Sequence, residues 1–240
     1  LKKPLTLSFK ALSVSFLGAC LNGLFMGLSF LGVHVGTAGA GGVVITTLSP
    51  ILTVAIALII WRQKISNKQV YGLILGAFGG ILMIEIWDTN ILFHSGNGVF
   101  IVSALVWSIL TLLAQRSRHY IDPIQFNFFL GICATVCMLV FFPLDTLSVV
   151  FDQDFKFWIA LLYISILGQT VATSIYFLAS GSLGSGQASM YMFLVPVFAL
   201  IFSYFLLGET PSMSLLVGGL LSMIGILFIH KKEPKSCHNT

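Results

Sequence analysis

Residues 48–83, LSPILTVAIALIIWRQKISNKQVYGLILGAFGGILM, and residues 194–229, LVPVFALIFSYFLLGETPSMSLLVGGLLSMIGILFI, overlay without a gap at an offset of 146 positions. Leu48, Pro50, Ser66, Gly72, Leu75 and Gly79 recur as Leu194, Pro196, Ser212, Gly218, Leu221 and Gly225. In a background rich in Leu, Ile and Gly such identities carry little weight alone. The weight falls on the mid-helix prolines and the paired glycines, because both residue types destabilise helices and here they keep register.

The composition names the solvent. The chain is 57% hydrophobic and 8% charged, with a mean hydropathy of +1.00, against roughly 25% charged residues in soluble domains. Eight apolar segments can be drawn, over 11–32, 41–61, 70–87, 98–114, 125–142, 157–179, 188–207 and 214–229. Each approaches the ~20 residues that cross a bilayer core as a helix. No stretch alternates polar and apolar in the way of barrel strands, the other way to satisfy a backbone in lipid. The expected fold is an all-α polytopic membrane protein of about eight transmembrane helices.

Basic residues orient it, since loops kept in the cytoplasm are enriched in Lys and Arg. With both termini cytoplasmic, Lys2, Lys3, Lys10, Arg62, Lys64, Lys68, Arg116, Arg118, Lys231, Lys232 and Lys235 fall inside and Lys156 alone falls outside. The net charge of +4 then reflects orientation and gives no reason to expect nucleic acid. In this topology the Pro50 and Pro196 segments cross in opposite directions, so the repeat is inverted. Inverted repeats place a site between related halves and support alternating access.

The C-terminal copy carries Pro196 in mid-helix, Gly208-Glu209 at the helix end, then Gly218 and Gly225 in the next helix. This resembles the EamA-type permeases of the drug/metabolite transporter superfamily. The N-terminal copy matches at Pro50, Gly72 and Gly79 but has Arg62 and Gln63 in place of the Gly-Glu pair. The resemblance implies ten helices in two inverted sets of five. Residues 97–231 hold a complete C-terminal set, 1–90 hold three helices of the N-terminal set, and 232–240 form a cytoplasmic tail. With three plus five of an expected five plus five, and a first residue Leu1, the expectation is a fragment lacking two helices. The resemblance further implies metabolite or drug export across the inner (plasma) membrane, and it makes Glu209 the family's motif acid.

Polar groups inside helices are where solute contacts are sought, because burying one in hydrocarbon without a partner costs free energy. Asn22, Thr46, Thr47, Trp107, Gln169, Tyr176 and Tyr191 are the expected substrate pathway, with Thr170 and Ser174 nearby. Each has the plainer reading of an interhelical hydrogen bond or an interfacial aromatic. Pro50 and Pro196 remove backbone hydrogen bonds and permit bending. Gly72, Gly79, Gly218 and Gly225, with Gly76 and Gly80, are expected to let helices approach closely, as are Gly23 and Gly27.

Other chemistries find little footing. The glycine-rich run 36–42, GTAGAGG, lacks the Lys-Ser/Thr ending of a phosphate loop. The lipoprotein-like Leu17-Gly18-Ala19-Cys20 is followed by further apolar sequence to Val33, which a cleaved signal would not show. Cys20, Cys133, Cys137 and Cys237 form neither a disulfide framework nor a zinc spacing, and no cofactor is expected. Glu85 and Glu209 sit near helix ends, which disfavours a relay of buried carboxylates. An intramembrane enzyme would offer HExxH or paired mid-helix acids, and neither occurs. A non-transporting scaffold or assembly factor is the remaining alternative. The expected partners are the lipid bilayer and a small-molecule solute, with protons or a counter-solute as the coupling choices and the oligomeric state open.

Overall fold

The computed structural model describes residues 8–36, 38–62, 66–84, 96–141, 148–202, 204–205 and 213–230. Among these residues there is no strand. The helices are α1 (Phe9–Val35), α2 (Ala38–Trp61), α3 (Asn67–Ile84), α4 (Gly96–Ser117), α5 (Pro123–Phe141), the one-turn α6 (Ser148–Phe151) and α7 (Phe155–Tyr163). A π-helical segment, Ile164–Ala172, joins α7 to α8 (Thr173–Leu183). Then come α9 (Ser185–Met190), a 3-10 turn at Tyr191–Phe193, α10 (Leu194–Phe202) and α11 (Met213–His230). Among the described residues four stretches are long and apolar enough to cross a membrane, Phe9–Val35, Gly41–Ile60, Gly98–Ser117 and Phe155–Leu183, and Pro123–Val136 and Leu216–Leu227 are shorter apolar helices. The chain is an all-helical polytopic membrane protein.

Helix starts follow from capping chemistry. Ser8 Oγ accepts the Ala11 N–H at 3.1 Å, and Asp154 Oδ1 accepts the Phe157 N–H at 2.9 Å, each satisfying a donor that lacks an intrahelical partner. Ser66 and Gln69 form a capping box, with Gln69 Oε1 accepting the Ser66 N–H at 2.9 Å and Ser66 Oγ the Gln69 N–H at 3.3 Å. Pro123 opens α5, where its missing N–H costs nothing.

These boundaries extend the repeat beyond the aligned sequence. Phe9 and Phe155, Asn67 and Met213, and Ile84 and His230 each stand 146 positions apart and bound corresponding elements. The capping pairs Ser8–Ala11 and Asp154–Phe157 obey the same offset. Ser and Asp cap equally well, so geometry repeats where identity does not.

The chain divides into two compact units that cut across the sequence halves: Leu1–Gly27 with Ile109–Ala188, and Leu28–Ser108 with Ser189–Thr240. In the first unit the buried rings of Phe126 and Phe177 meet edge-on at 5.4 Å. A Cβ on Gly18 would stand 2.8 Å from the Phe126 ring, so glycine there makes room for it. The Tyr176 hydroxyl and Thr111 Oγ1 lie 3.1 Å apart, Ser180 Oγ donates to the Thr111 carbonyl at 3.1 Å, and the Ser185 N–H donates to Gln115 Oε1 at 2.9 Å. Gly184, between α8 and α9, has φ 95°, a conformation that glycine adopts without the Cβ clash.

The second unit is built on close helix approach. Gly79 and Gly225 lie on α3 and α11, which pack together more extensively than any other pair of the described helices. A Cβ on Gly79 would stand 2.5 Å from the Gly218 carbonyl oxygen, and one on Gly225 would stand 2.8 Å from that of Gly72. Because Gly218 and Gly225 are the repeat equivalents of Gly72 and Gly79, the two contacts are reciprocal. That is the relation a two-fold axis imposes on an interface. The partner number falls as the residue number rises, so the two helices run antiparallel. Elsewhere in this unit Ser108 Oγ donates to the Ser49 carbonyl at 3.0 Å and to Ala104 O at 2.7 Å. Phe193 packs with Val54, Met190 and Ile226.

Two expectations meet a different geometry. Gly23 and Gly27 do not sit at a close approach between the described helices, since among the described residues a Cβ on either would meet nothing within 4 Å. The expected segment 188–207 is not one continuous α-helix: it passes from α9 through the 3-10 turn into α10. Pro196 has no N–H for the carbonyl four residues back, and the chain tightens just upstream, with the Leu194 N–H reaching Tyr191 O. The matched Pro50, fully buried, leaves α2 unbroken from Ala38 to Trp61.

Candidate functional site

The first unit contains a cleft of about 620 Å³. One wall is apolar and comes from α5, where Ile124, Phe128, Ile132 and Val136 recur every four residues along one face. The polar groups converge from three elements: Asn22 of α1, Asn127 and Thr135 of α5, and Gln169, Thr170 and Ser174 of the π segment and α8. Among the described residues that line it, none is ionisable. A few fixed polar groups in a largely apolar concavity of this size suit a small organic ligand.

The polar groups are held by helix geometry. A π turn pairs each N–H with a carbonyl five residues back and is wider than an α turn. The Thr173 N–H reaches Gly168 O, and the hydroxyls follow the same spacing: Thr170 Oγ1 donates to Ser165 O at 2.9 Å and Thr173 Oγ1 to Gly168 O at 3.1 Å. From α5, Asn127 Nδ2 donates to Gln169 O at 3.1 Å and to Ser174 Oγ at 2.9 Å.

Of the residues expected along a substrate pathway, Asn22 and Gln169 come together in this cleft, with Thr170 and Ser174. Tyr176 shares their unit but is engaged with Thr111 outside the cleft lining. Thr46, Thr47, Trp107 and Tyr191 belong to the other unit. There Thr46 Oγ1 donates to Gly42 O within its own helix at 2.7 Å. Thr47 is buried where a Cβ on Gly80 would strike it, and its hydroxyl has no hydrogen-bond partner among the described residues. Tyr191 packs against the Phe193 cluster, and Trp107 is half-buried in α4. Glu209, Glu85 and the tail 232–240 lie outside the described residues.

Sequence reasoning missed Asn127. It stands two residues inside the expected boundary of segment 125–142, where an amide reads as interfacial, and its partners lie more than forty positions away. An amide flanked by phenylalanines in FNFF was the available signal. Among the described residues no three His, Cys, Asp or Glu side chains come together to hold a metal.

Comparison with known proteins bears on what such a cleft serves. A family profile described as the EamA-like transporter family matches residues 94–230, more than half of the chain. A chloroplastic WAT1-related protein of Arabidopsis thaliana is 29% identical over 227 residues, covering 87% of this chain and 52% of its own length. The chain thus spans about half of that relative. The uncharacterized transporter YoaV of Bacillus subtilis is 26% identical over 231 residues, covering 94% of this chain and 78% of its own length. An uncharacterized transporter of Archaeoglobus fulgidus is 24% identical, covering 88% and 73% respectively. A solved crystal structure superposes with a TM-score of 0.68 at 14% identity over 93% of this chain and 78% of its own, which bears on the fold alone.

Proposed function

The chain belongs to the EamA-like transporter family, and we propose that it exports a small uncharged organic solute across the plasma membrane by alternating access, with the 620 Å³ cleft as its solute site. The observation that carries this reading is the chemistry of the lining. Three amides and three hydroxyls face an apolar wall with no ionisable side chain among them. A charged solute entering such a cleft would lose hydration without gaining a counter-charge. A neutral solute with donors, acceptors and an apolar face exchanges water for the amides and buries its apolar part on Phe128 and Ile132.

Alternating access draws support from the reciprocal Gly72–Gly225 and Gly79–Gly218 contacts, since two-fold related halves are what a rocking mechanism needs. The irregular helices are the natural places for movement: the π segment in one unit, the 3-10 turn before Pro196 in the other. Eleven of twelve basic residues on one side favour an orientation with both ends in the cytoplasm. The test is mass spectrometry of the medium from cells expressing the chain, its Asn22→Leu and Gln169→Leu variants, or an empty vector. Selective accumulation of one class of neutral solute, lost in both variants, is the expected result. Accumulation that survives both substitutions would remove the cleft from the pathway.

A further inference from the structure

The π segment raises a physical question that its own sequence does not answer. Nine consecutive π residues, Ile164–Ala172, far exceed the single-turn bulge in which this geometry usually occurs. The segment is exposed along nearly its whole length, so burial does not force the register. Something specific has to hold it against relaxation to the α spacing.

Asn127 is placed to do so. Its amide nitrogen lies 3.1 Å from Gln169 O, 3.5 Å from Thr170 O and 2.9 Å from Ser174 Oγ. Two of these three acceptors are carbonyls, which only accept, so the nitrogen rather than the oxygen of the amide must face them. The contacts bridge the last turns of the π segment to the first turn of α8. The spacing between carbonyl 169 and hydroxyl 174 is one π repeat, and α spacing turns the two away from each other. Asn127, Gln169, Thr170 and Ser174 all line the cleft, so the clamp is part of the site wall.

We propose that Asn127 is a positioning residue that holds residues 164–172 in π register and thereby presents Gln169 to the cleft. The structural half of this inference stands without a transported solute; its role in selectivity rests on the cleft being the solute site. With Asn127 removed, the segment relaxes toward α spacing anchored at Ser174, Gln169 turns out of the cleft, and Val171 turns toward it.

The test uses the full chain in membranes, with Cys20, Cys133, Cys137 and Cys237 replaced by alanine and a single reporter cysteine at Gln169→Cys or Val171→Cys. N-ethylmaleimide is the probe, because it reacts with a thiolate that needs water and a lipid-facing cysteine stays inert. In the Asn127 parent the 169 reporter labels and the 171 reporter does not. In Asn127→Leu the 169 rate is expected to fall about tenfold, the bias expected from losing two hydrogen bonds, while the 171 rate rises. Asn127→Gln, which keeps an amide nitrogen, restores part of the parent pattern. Asn22→Leu, which alters the same cleft without touching the π segment, leaves the pattern unchanged.

Identical labelling in the parent and in a folded Asn127→Leu overturns the inference. Should that variant fail to fold, Ser174→Ala removes one acceptor and is expected to shift labelling in the same direction by a smaller factor; no shift there is the overturning result. Solute release is measured on cells carrying the Val171→Cys reporter, which keeps Gln169 and the rest of the lining. A labelling shift with release unchanged keeps Asn127 as the clamp and overturns the cleft as the solute site.

Discussion

Helix α1 and the rod Phe155–Leu183 start 146 positions apart and carry equivalent N-caps, yet the first is α from end to end and the second is π through its middle. The same contrast recurs one element later. Helix α2 runs unbroken through Pro50, whereas its counterpart tightens to 3-10 before Pro196. Only α3 and α11 are alike in bounds and regularity. The copies therefore share a template for where helices start and which faces pack, and they differ where polar groups are presented. Irregular backbone in lipid is tolerated where protein or a cavity receives the freed groups. Asn127 and the cleft play that part for the π segment.

Breaking what the copies share has the largest expected effect. In Gly79→Leu the new side chain meets the Gly218 carbonyl at 2.5 Å and the Ser222 side chain at the same distance, and two helix backbones cannot shift as a flexible side chain can. A loss of about 3 kcal/mol is expected, a large share of typical stability, read as loss of the monodisperse peak in detergent size-exclusion chromatography. Gly225→Leu should match it, because the contact is reciprocal. Gly23→Leu, which faces open space, should stay within about 0.5 kcal/mol of the parent. A tolerated Gly79→Leu would show that the two-fold contact is incidental.

The next effect comes from making the second copy resemble the first. Deleting Gly168 takes one residue out of the π segment, which favours the α register of α1 and rotates Gln169 relative to Asn22. Misplacement of this order costs about 100-fold in processes that depend on positioning, so solute release should fall by about that factor while the chain stays folded. Release at the parental rate would mean that the π geometry serves no transport role. A smaller effect is expected at the prolines. Pro196→Ala restores a donor to the carbonyl four residues back and removes the reason for the 3-10 turn, and about a tenfold drop in release is expected if that turn flexes during transport. Pro50→Ala, at a buried position in a helix already regular, should change release less than twofold by the same reasoning. Equal effects at both prolines would erase the distinction between the copies.

These contrasts mark how far the sequence could be read. Hydropathy located the helices, and the 146-position offset located the glycine contacts, because close approach in lipid leaves few alternatives to glycine. The π register was not legible. It depends on Asn127 reaching carbonyls more than forty positions away, and Ile-Ser-Ile-Leu-Gly-Gln-Thr-Val-Ala carries no signal that separates π from α spacing. The cleft lining was legible in part: Asn22 and Gln169, which line it, stand out as mid-span amides, while Thr46 and Tyr176 spend their polar groups on neighbours within their own units. Polarity inside a helix names candidates, and only the fold separates a cleft from an internal hydrogen bond.

The smallest expected effect lies where the N-terminal copy departs from the repeat. Arg62 follows the last residue of α2 with φ 48°, the left-handed conformation in which helices commonly end on glycine. Its repeat equivalent is Gly208. A non-glycine residue there carries roughly 1–2 kcal/mol of strain, and the relief that glycine brings is partly cancelled by its larger loss of freedom on folding. Arg62→Gly is therefore expected to raise stability by about 1 kcal/mol, seen as a higher thermal midpoint in detergent with solute release unchanged. Arg62→Ala separates conformation from charge, since it removes the guanidinium and keeps the Cβ that causes the strain. A rise in Arg62→Gly alone assigns the effect to the backbone; an equal rise in Arg62→Ala would assign it to the lost charge, and the departure from the repeat would then have no conformational cost.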